Sequence, residues 1–325
     1  MKGELGVVMP FWLDRPDEEA VEIAVAAERA GIETVWVGEM ASFDAFVLAT
    51  AIGLQTERVR LKIGPLAVGV RSPVGIALGV ASVATLVGRP VDVALGSSSH
   101  AIVTGWHDRP WSALAPRMRE TVAALRAILD GERADFDGAH VRAHGFKLRR
   151  PQPETSITVA AFGPAVTRVA ARHADEVVLN LVSPEHVATV RGRIDEEAAR
   201  VGRPTPRLAV WVAAALNPGK LAEAQLAGQL AIYLGAPGYG ELFTELGFGK
   251  LVERARAGAR RAELLAAIPL ELAARVTAVG SAGEIAARIA AYHEAGADQV
   301  GLVPSTAEDP AGRGVLGALA QQAIA

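Results

Sequence analysis

The sequence predicts a (β/α)8 TIM barrel with a helical insertion between its seventh and eighth strands. Three observations carry this expectation. Short β-branched apolar runs alternate with longer Ala-rich helical stretches through all 325 residues. The runs are apolar on both faces, as strands of a parallel sheet covered on both sides must be. Eight such units over this length suit a closed barrel better than an open doubly wound sheet. The open sheet also lacks its signal. Val8-Met9-Pro10-Phe11-Trp12 follows the first strand where a Gly-rich fingerprint would stand, and neither GxGxxG nor a Walker A pattern occurs.

The elements follow in order. Leu5–Met9 is the first strand. Pro16-Asp17-Glu18-Glu19 is an acidic helix start, and Gly31 stops the helix over Asp17–Ala30. Thr34–Val37 is the second strand, Ala45–Gln55 a helix, and Arg60–Ile63 the third strand. Ser72-Pro73 opens a helix through Leu86, and Val91–Leu95 is the fourth strand. Pro116–Leu129 is helix, stopped by Gly131. The 132–155 stretch, with Phe136-Asp137-Gly138 and Arg149-Arg150-Pro151-Gln152-Pro153, reads as an excursion hairpin or long loop. The alternation resumes with strand Ile157–Ala161, helix Ala165–Ala174, strand Glu176–Leu179, helix Pro184–Val201 and strand Arg207–Leu216. Helix Ser281–Ala295 and strand Gln299–Val303 close it. Between them and the seventh strand lies the 218–275 insertion, helical with loop signals at Gly235-Ala236-Pro237-Gly238 and Gly247-Phe248-Gly249. No polar linker appears, so 1–325 is expected to be a single domain.

Composition narrows the function classes. Half the residues are hydrophobic and 21% are charged, which excludes a disordered chain. A net charge of −3 offers nucleic acid no bulk positive field. With no cysteine, disulfides, Cys-ligated zinc, iron–sulfur clusters and thiol nucleophiles are excluded, which suits a cytoplasmic protein. The apolar stretch Val74–Val87 falls short of the roughly 20 residues a bilayer requires and reads as a buried helix. No targeting segment is visible and no membrane partner is expected.

Barrel chemistry sits at the C-terminal ends of the strands, which selects a short set of residues. Phe162-Gly163-Pro164 has the make-up of an anion seat: glycine permits close approach, proline opens the helix, and free N–H groups follow. The same residues also suit a plain strand-to-helix turn. Ser97, Ser98 and Ser99 can donate several hydrogen bonds or form an ordinary polar loop. His100 and His107 are candidates for proton transfer or simply surface histidines. Spaced seven apart, and with His140 and His144 in the excursion, they make no metal motif, so no metal is expected. Glu39 is either a proton-handling carboxylate at the mouth or half of an ion pair with Arg71. Phe11, Trp12, Trp106, Trp111 and Phe162 cluster at strand ends, as for a wide planar ligand or as plugs of the mouth. GxSxG is absent, which removes hydrolases of that type.

Several of these pieces occur together in one order. They are Glu28-Arg29-Ala30-Gly31 before Val35-Trp36-Val37, Ile63-Gly64-Pro65 before Arg71-Ser72-Pro73, and Leu95-Gly96-Ser97. Gly105-Trp106-His107, Ala160-Ala161-Phe162-Gly163-Pro164 before Ala174-Asp175, and Ala295-Gly296-Ala297-Asp298 continue the series. In these the chain resembles the luciferase-like monooxygenase superfamily, particularly its branch using the deazaflavin coenzyme F420. The resemblance implies a flavin-like ring in the barrel mouth, backed by a non-proline cis bond within Pro65-Leu66-Ala67-Val68. It implies a phosphate seat at Phe162, Gly163 and Pro164 beside Asn180 and Leu181, with the Ser97–Ser99 loop also touching the cofactor. Members that oxidise sugar phosphates carry a histidine where Met40 stands here and a glutamate where Ser99 stands. The expected activity is therefore hydride transfer between F420 and another small organic substrate, with Glu39, His100 or His107 moving the proton. Phe11, Trp12 and Trp106 would shape the substrate side, and Tyr233, Tyr239 and Phe243 of the insertion would roof it. FMN with oxygen, making a monooxygenase, is the alternative; a longer anionic F420 tail would call on Arg71, Arg168 and Arg172. A non-catalytic flavin-binding member is the third reading. The resemblance also implies a homodimer, with the Val74–Val87 helix either meeting a copy or packing internally.

Overall fold

The computed structural model describes residues 3–39 and 41–324; Met40 lies outside the described residues. The strands are β1 (Glu4–Val8), β2 (Thr34–Val37), β3 (Arg60–Ala67), β4 (Asp92–Gly96), β5 (Asp135–Asp137), β6 (Arg142–His144), β7 (Ile157–Ala160), β8 (Glu176–Asn180), β9 (Arg207–Leu216), β10 (Thr277–Gly280) and β11 (Gln299–Pro304). The helices are α1 (Glu19–Arg29), α2 (Ala45–Gln55), α3 (Pro73–Val87), α4 (Leu114–Leu129), α5 (Pro164–His173), α6 (Pro184–Arg200) and α7 (Lys220–Tyr233). After them come α8 (Tyr239–Phe243), α9 (Gly249–Arg256), α10 (Arg261–Ala267), α11 (Leu270–Val276), α12 (Ala282–Glu294) and α13 (Arg313–Ile324). The main sheet runs β10-β9-β11-β1-β2-β3-β4-β7-β8, and β8 also pairs with β9. Eight parallel strands thus close into the expected (β/α)8 barrel, and the 132–155 excursion holds the antiparallel hairpin β5–β6.

Two expectations about strands are corrected. The ninth strand, β10, was not expected; it pairs with the far end of β9, Thr277 opposite Ala213 and Gly280 opposite Leu216. Its four residues follow α11 directly, too short a run to show a period of two. The third strand does not stop at Ile63. It continues to Ala67 through a bulge, its register against β4 skipping from Ile63–Val93 to Leu66–Leu95. The cis bond is Gly64–Pro65, one step before the expected window and prolyl in type. A tertiary amide is the bond for which cis carries only a small penalty. Gly64 has φ +123, and a Cβ there would sit 2.2 Å from the Ala94 carbonyl oxygen, so only glycine fits.

The chain divides into two compact units. One holds the described residues of Met1–Ile32, Leu179–Thr189 and Ala209–Ala325. In it β11 pairs with β1 and β9, and the insertion helices bury their own apolar core around Leu181, Leu230, Phe243, Leu251 and Leu272. The other unit holds Glu33–Val178 and Val190–Leu208. Near the N-terminal ends of its strands, buried Lys62 ion-pairs with buried Glu176 and stands 4.7 Å above the Trp36 ring. Thr158 Oγ1 donates to the same carboxylate at 2.9 Å. Buried charges persist when paired and hydrogen-bonded in this way.

In the second unit α2 and α3 form where the sequence places them. Asp44 caps α2, accepting from the Phe46 and Val47 N–H groups, and Ser72 caps α3 ahead of Pro73. Neither helix carries a charged residue. The Val74–Val87 stretch is not fully buried: Leu78 and Leu86 are 52% and 62% exposed, as are Val47 and Leu54 of α2 at 62% and 64%. Among the described residues no helix is long and apolar enough to cross a membrane.

Candidate active site

In the second unit the ends of β3, β4 and β7 converge. A Cβ on Gly96 would stand 3.0 Å from Pro65 Cβ and 3.8 Å from Ala160 Cβ, so the three strand ends pack closely around this backbone. Pro65 and Ala67 of the bulge are half-buried and Leu66 is buried. The Ser97–Ser99 loop leaves β4 next to them. Ser98 takes φ +56, a left-handed conformation uncommon outside glycine. Ser99 Oγ accepts from the Ile102 N–H at 3.4 Å. Ser97 Oγ is buried and, among the described residues, has no hydrogen-bond partner. Buried hydroxyls are seldom left so.

His100 follows at the start of a turn over Ala101–Trp106 that is wound wider than an α-helix, π-type in its hydrogen bonding. Its ring meets Trp111 edge-on, centroids 6.3 Å apart at 87°. The Trp111 indole in turn donates to the Ser97 carbonyl at 3.0 Å. His100 is thereby joined to the Ser97 loop. Trp106 (56% exposed) and His107 lie at the far end of the turn.

Phe162 is half-buried after β7, and Gly163 adopts φ 78, ψ 159. That region is open essentially to glycine alone. Pro164 opens α5, and Thr167 Oγ1 donates back to the Gly163 carbonyl at 2.9 Å. Nothing lies within 4 Å of where a Gly163 side chain would be. The open, positively polarised helix start has the make-up of an anion seat.

Glu39 is half of an ion pair. Arg71 Nε donates to Glu39 Oε2 at 3.0 Å, Nη2 reaches Oε1, and the same Nη2 reaches Asp44. Burial pushes the Asp44 carboxyl up, and Arg71 with the Val47 and Phe46 N–H groups outweighs it, leaving the group below its ordinary value. Glu39, against burial, and then Asp44 raise the Arg71 guanidinium. Arg71 is therefore committed to two carboxylates. Arg168 and Arg172 both pair with Glu197, at 3.6 and 2.8 Å.

The first unit carries the other predicted residues. Trp12 is buried, its indole donating to the Pro304 carbonyl at 2.8 Å, so it anchors the chain after β1, while Phe11 is half-buried. Asn180 Nδ2 donates to the Tyr239 hydroxyl at 3.1 Å. The Tyr233 and Tyr239 rings lie 4.6 Å apart, and burial pushes both hydroxyls up. Phe243 continues the cluster 6.4 Å from Tyr239. Leu181 takes φ +52 with its side chain wholly buried in the insertion's core, so its backbone is what it can offer a ligand.

Two polar residues of this unit have buried roles that the sequence reading did not assign. Glu19 accepts from Arg15, from Thr306 Oγ1 at 2.8 Å and from the Ala311 N–H at 2.9 Å. Gln225 lies on the same buried side of α7 as Ala222 and Leu226, and that interruption of an apolar stripe was the available signal. Among the described residues no group of three or more His, Cys, Asp or Glu side chains is placed to hold a metal.

The family described as luciferase-like monooxygenase matches residues 10–299. A Mycobacterium tuberculosis protein classed as a coenzyme F420-dependent oxidoreductase is 25% identical, over 94% of this chain and 96% of its own. In three dimensions the chain is similar to coenzyme F420-dependent tetrahydromethanopterin reductase from Methanopyrus kandleri, with a TM-score of 0.83 and 17% identity over 99% of this chain and 98% of that one. It is also similar to a type II Baeyer–Villiger monooxygenase from Pseudomonas putida in complex with FMN, with a TM-score of 0.71 and 18% identity over 98% and 97%. At these identities the two solved structures bear on the fold. With the barrel, the bulged third strand and a match over 10–299, the chain belongs to the luciferase-like monooxygenase family.

Proposed function

We propose that this chain is an oxidoreductase that transfers a hydride between coenzyme F420 and a small organic substrate. The observation that carries the reading is the buried, partnerless Ser97 hydroxyl, one strand away from the open helix start at Gly163. Both features fit a polar, anionic cofactor. Ser97–Ser99, Pro65–Ala67 and Phe162–Pro164 of the second unit would hold it. When bound, the deazaflavin supplies the carbon that gives or takes the hydride. The chain's residues bind, orient and handle the proton. His100 is favoured over His107 and Glu39 for that proton, its ring nitrogens giving or taking it. It is linked to the Ser97 loop through Trp111, whereas both Glu39 oxygens already accept from Arg71. Trp106 would shape the substrate side.

FMN is the second reading, and a specific observation favours it. Arg71, Arg168 and Arg172, the arginines expected along a longer anionic tail, are all paired with carboxylates of the chain. Titration of both cofactors, followed by fluorescence, separates the readings. F420 is expected to bind; no binding at tens of micromolar sinks the first reading, and binding of FMN alone selects the second. Ser97→Ala removes a hydroxyl that no protein group uses. It is expected to leave stability unchanged and weaken cofactor binding about tenfold, or about 1.4 kcal/mol. Tight binding without turnover over a broad acceptor panel would point to a non-catalytic member. We also infer that two copies pair through the charge-free faces of α2 and α3.

A further inference from the structure

Gln225 joins the insertion to two strand-end segments at once. It is buried on α7, 7% exposed. Its Nε2 donates to both carboxylate oxygens of Asp14, at 3.0 and 3.2 Å, in the segment after β1. Its Oε1 accepts from Ser305 Oγ at 2.7 Å, the Thr306 N–H at 3.0 Å and the Ala307 N–H at 3.3 Å, in the segment after β11. A carboxamide donates at one terminal atom and accepts at the other without carrying charge. A carboxylate in its place would face Asp14 with a like charge, and an apolar side chain would strand buried donors. The ring of contacts closes on itself. Trp12 Nε1 donates to Pro304 O at 2.8 Å, and Glu308 accepts from the Gly219 N–H ahead of α7 at 2.7 Å.

We infer that Gln225 is a positioning residue: through its amide the insertion holds the segments after β1 and β11 as one piece, and so sets where Phe11 stands. That Phe11 meets a substrate rests on the family resemblance; the coupling of the two segments does not. The experiment is hydrogen exchange, read by mass spectrometry on the full chain, over peptides covering 10–15 and 305–309. Gln225→Glu keeps an acceptor toward Ser305 but opposes Asp14. It is expected to raise exchange in 10–15 about tenfold and to leave 305–309 within about twofold. Adding Asp14→Asn restores a donor–acceptor pair in reversed sense and is expected to return 10–15 to wild-type protection. Unchanged exchange in 10–15, or no return in the double variant, overturns the inference. Should Gln225→Glu not fold, Asp14→Ala reads the same joint: a local rise in 10–15 supports it and none overturns it. F420 binding measured on the same samples keeps the two ideas apart. Wild-type protein that fails to bind sinks the cofactor reading, while the exchange pattern still decides the role of Gln225.

Discussion

Glu19 shows how one buried carboxylate ties pH to stability. Burial pushes its carboxyl up, and Arg15, Ala311 and Thr306 together outweigh that, so its folded value lies below the ordinary 4.5. The unfolded chain then binds the proton more readily than the folded one. The stability Glu19 supplies is complete above its unfolded value and is lost as pH falls through the lower folded value. Glu19→Gln is expected to cost about 2 kcal/mol at pH 7, measured as a shift of the urea midpoint. That deficit should shrink as the wild type is titrated below the unfolded value; a deficit constant with pH would assign the loss to packing alone. Residue roles were only partly legible beforehand. The Glu39–Arg71 pair was one of two readings the sequence offered, and the structure selects it; Trp12 was visible as a strand-end residue, but that it faces a protein partner depends on Pro304, 292 positions away in sequence. Long-range partners of this kind leave no mark on a local pattern.

Among the elements, β3 and the start of α5 rest on glycines that differ in what surrounds them. At Gly64 a methyl group would meet the Ala94 carbonyl of the neighbouring strand at 2.2 Å, whereas at Gly163 it would meet nothing within 4 Å. Gly64→Ala is expected to cost more than about 3 kcal/mol, because the β3–β4 pairing must give way. Gly163→Ala is expected to cost about 1–3 kcal/mol, from its backbone angles alone. Chemical denaturation of the two variants checks the order, and equal losses would refute the steric argument at Gly64. The same contrast explains what could be read in advance. Helices α2 and α3 were legible to within a residue because each is an unbroken run without charge. The end of β3 was not, because Gly64-Pro65 reads as a break unless a bulge absorbs it. The strand β10 was hidden by its length.

At the scale of the whole molecule, the barrel was legible because every strand is apolar on both faces, a pattern that an eightfold βα alternation leaves little other use for. What the molecule does with its outer surface is less visible in sequence. Helices α2 and α3 expose Val47, Leu54, Leu78 and Leu86 and carry no charge. Surfaces of that kind mark association. The wild type is expected to sediment as a dimer, and Leu54→Glu combined with Leu78→Glu as a folded monomer with unchanged circular dichroism. A monomeric wild type would remove this pairing.

The wide turn at Ala101–Trp106 holds one more residue per revolution than its narrower relative would. Loss of a single codon there would let the coil tighten to an ordinary α-turn, and the tightening would keep Trp106 and His107 on the side of the axis they already face. A change of one residue in length would thus be absorbed at this corner with no alteration of any strand.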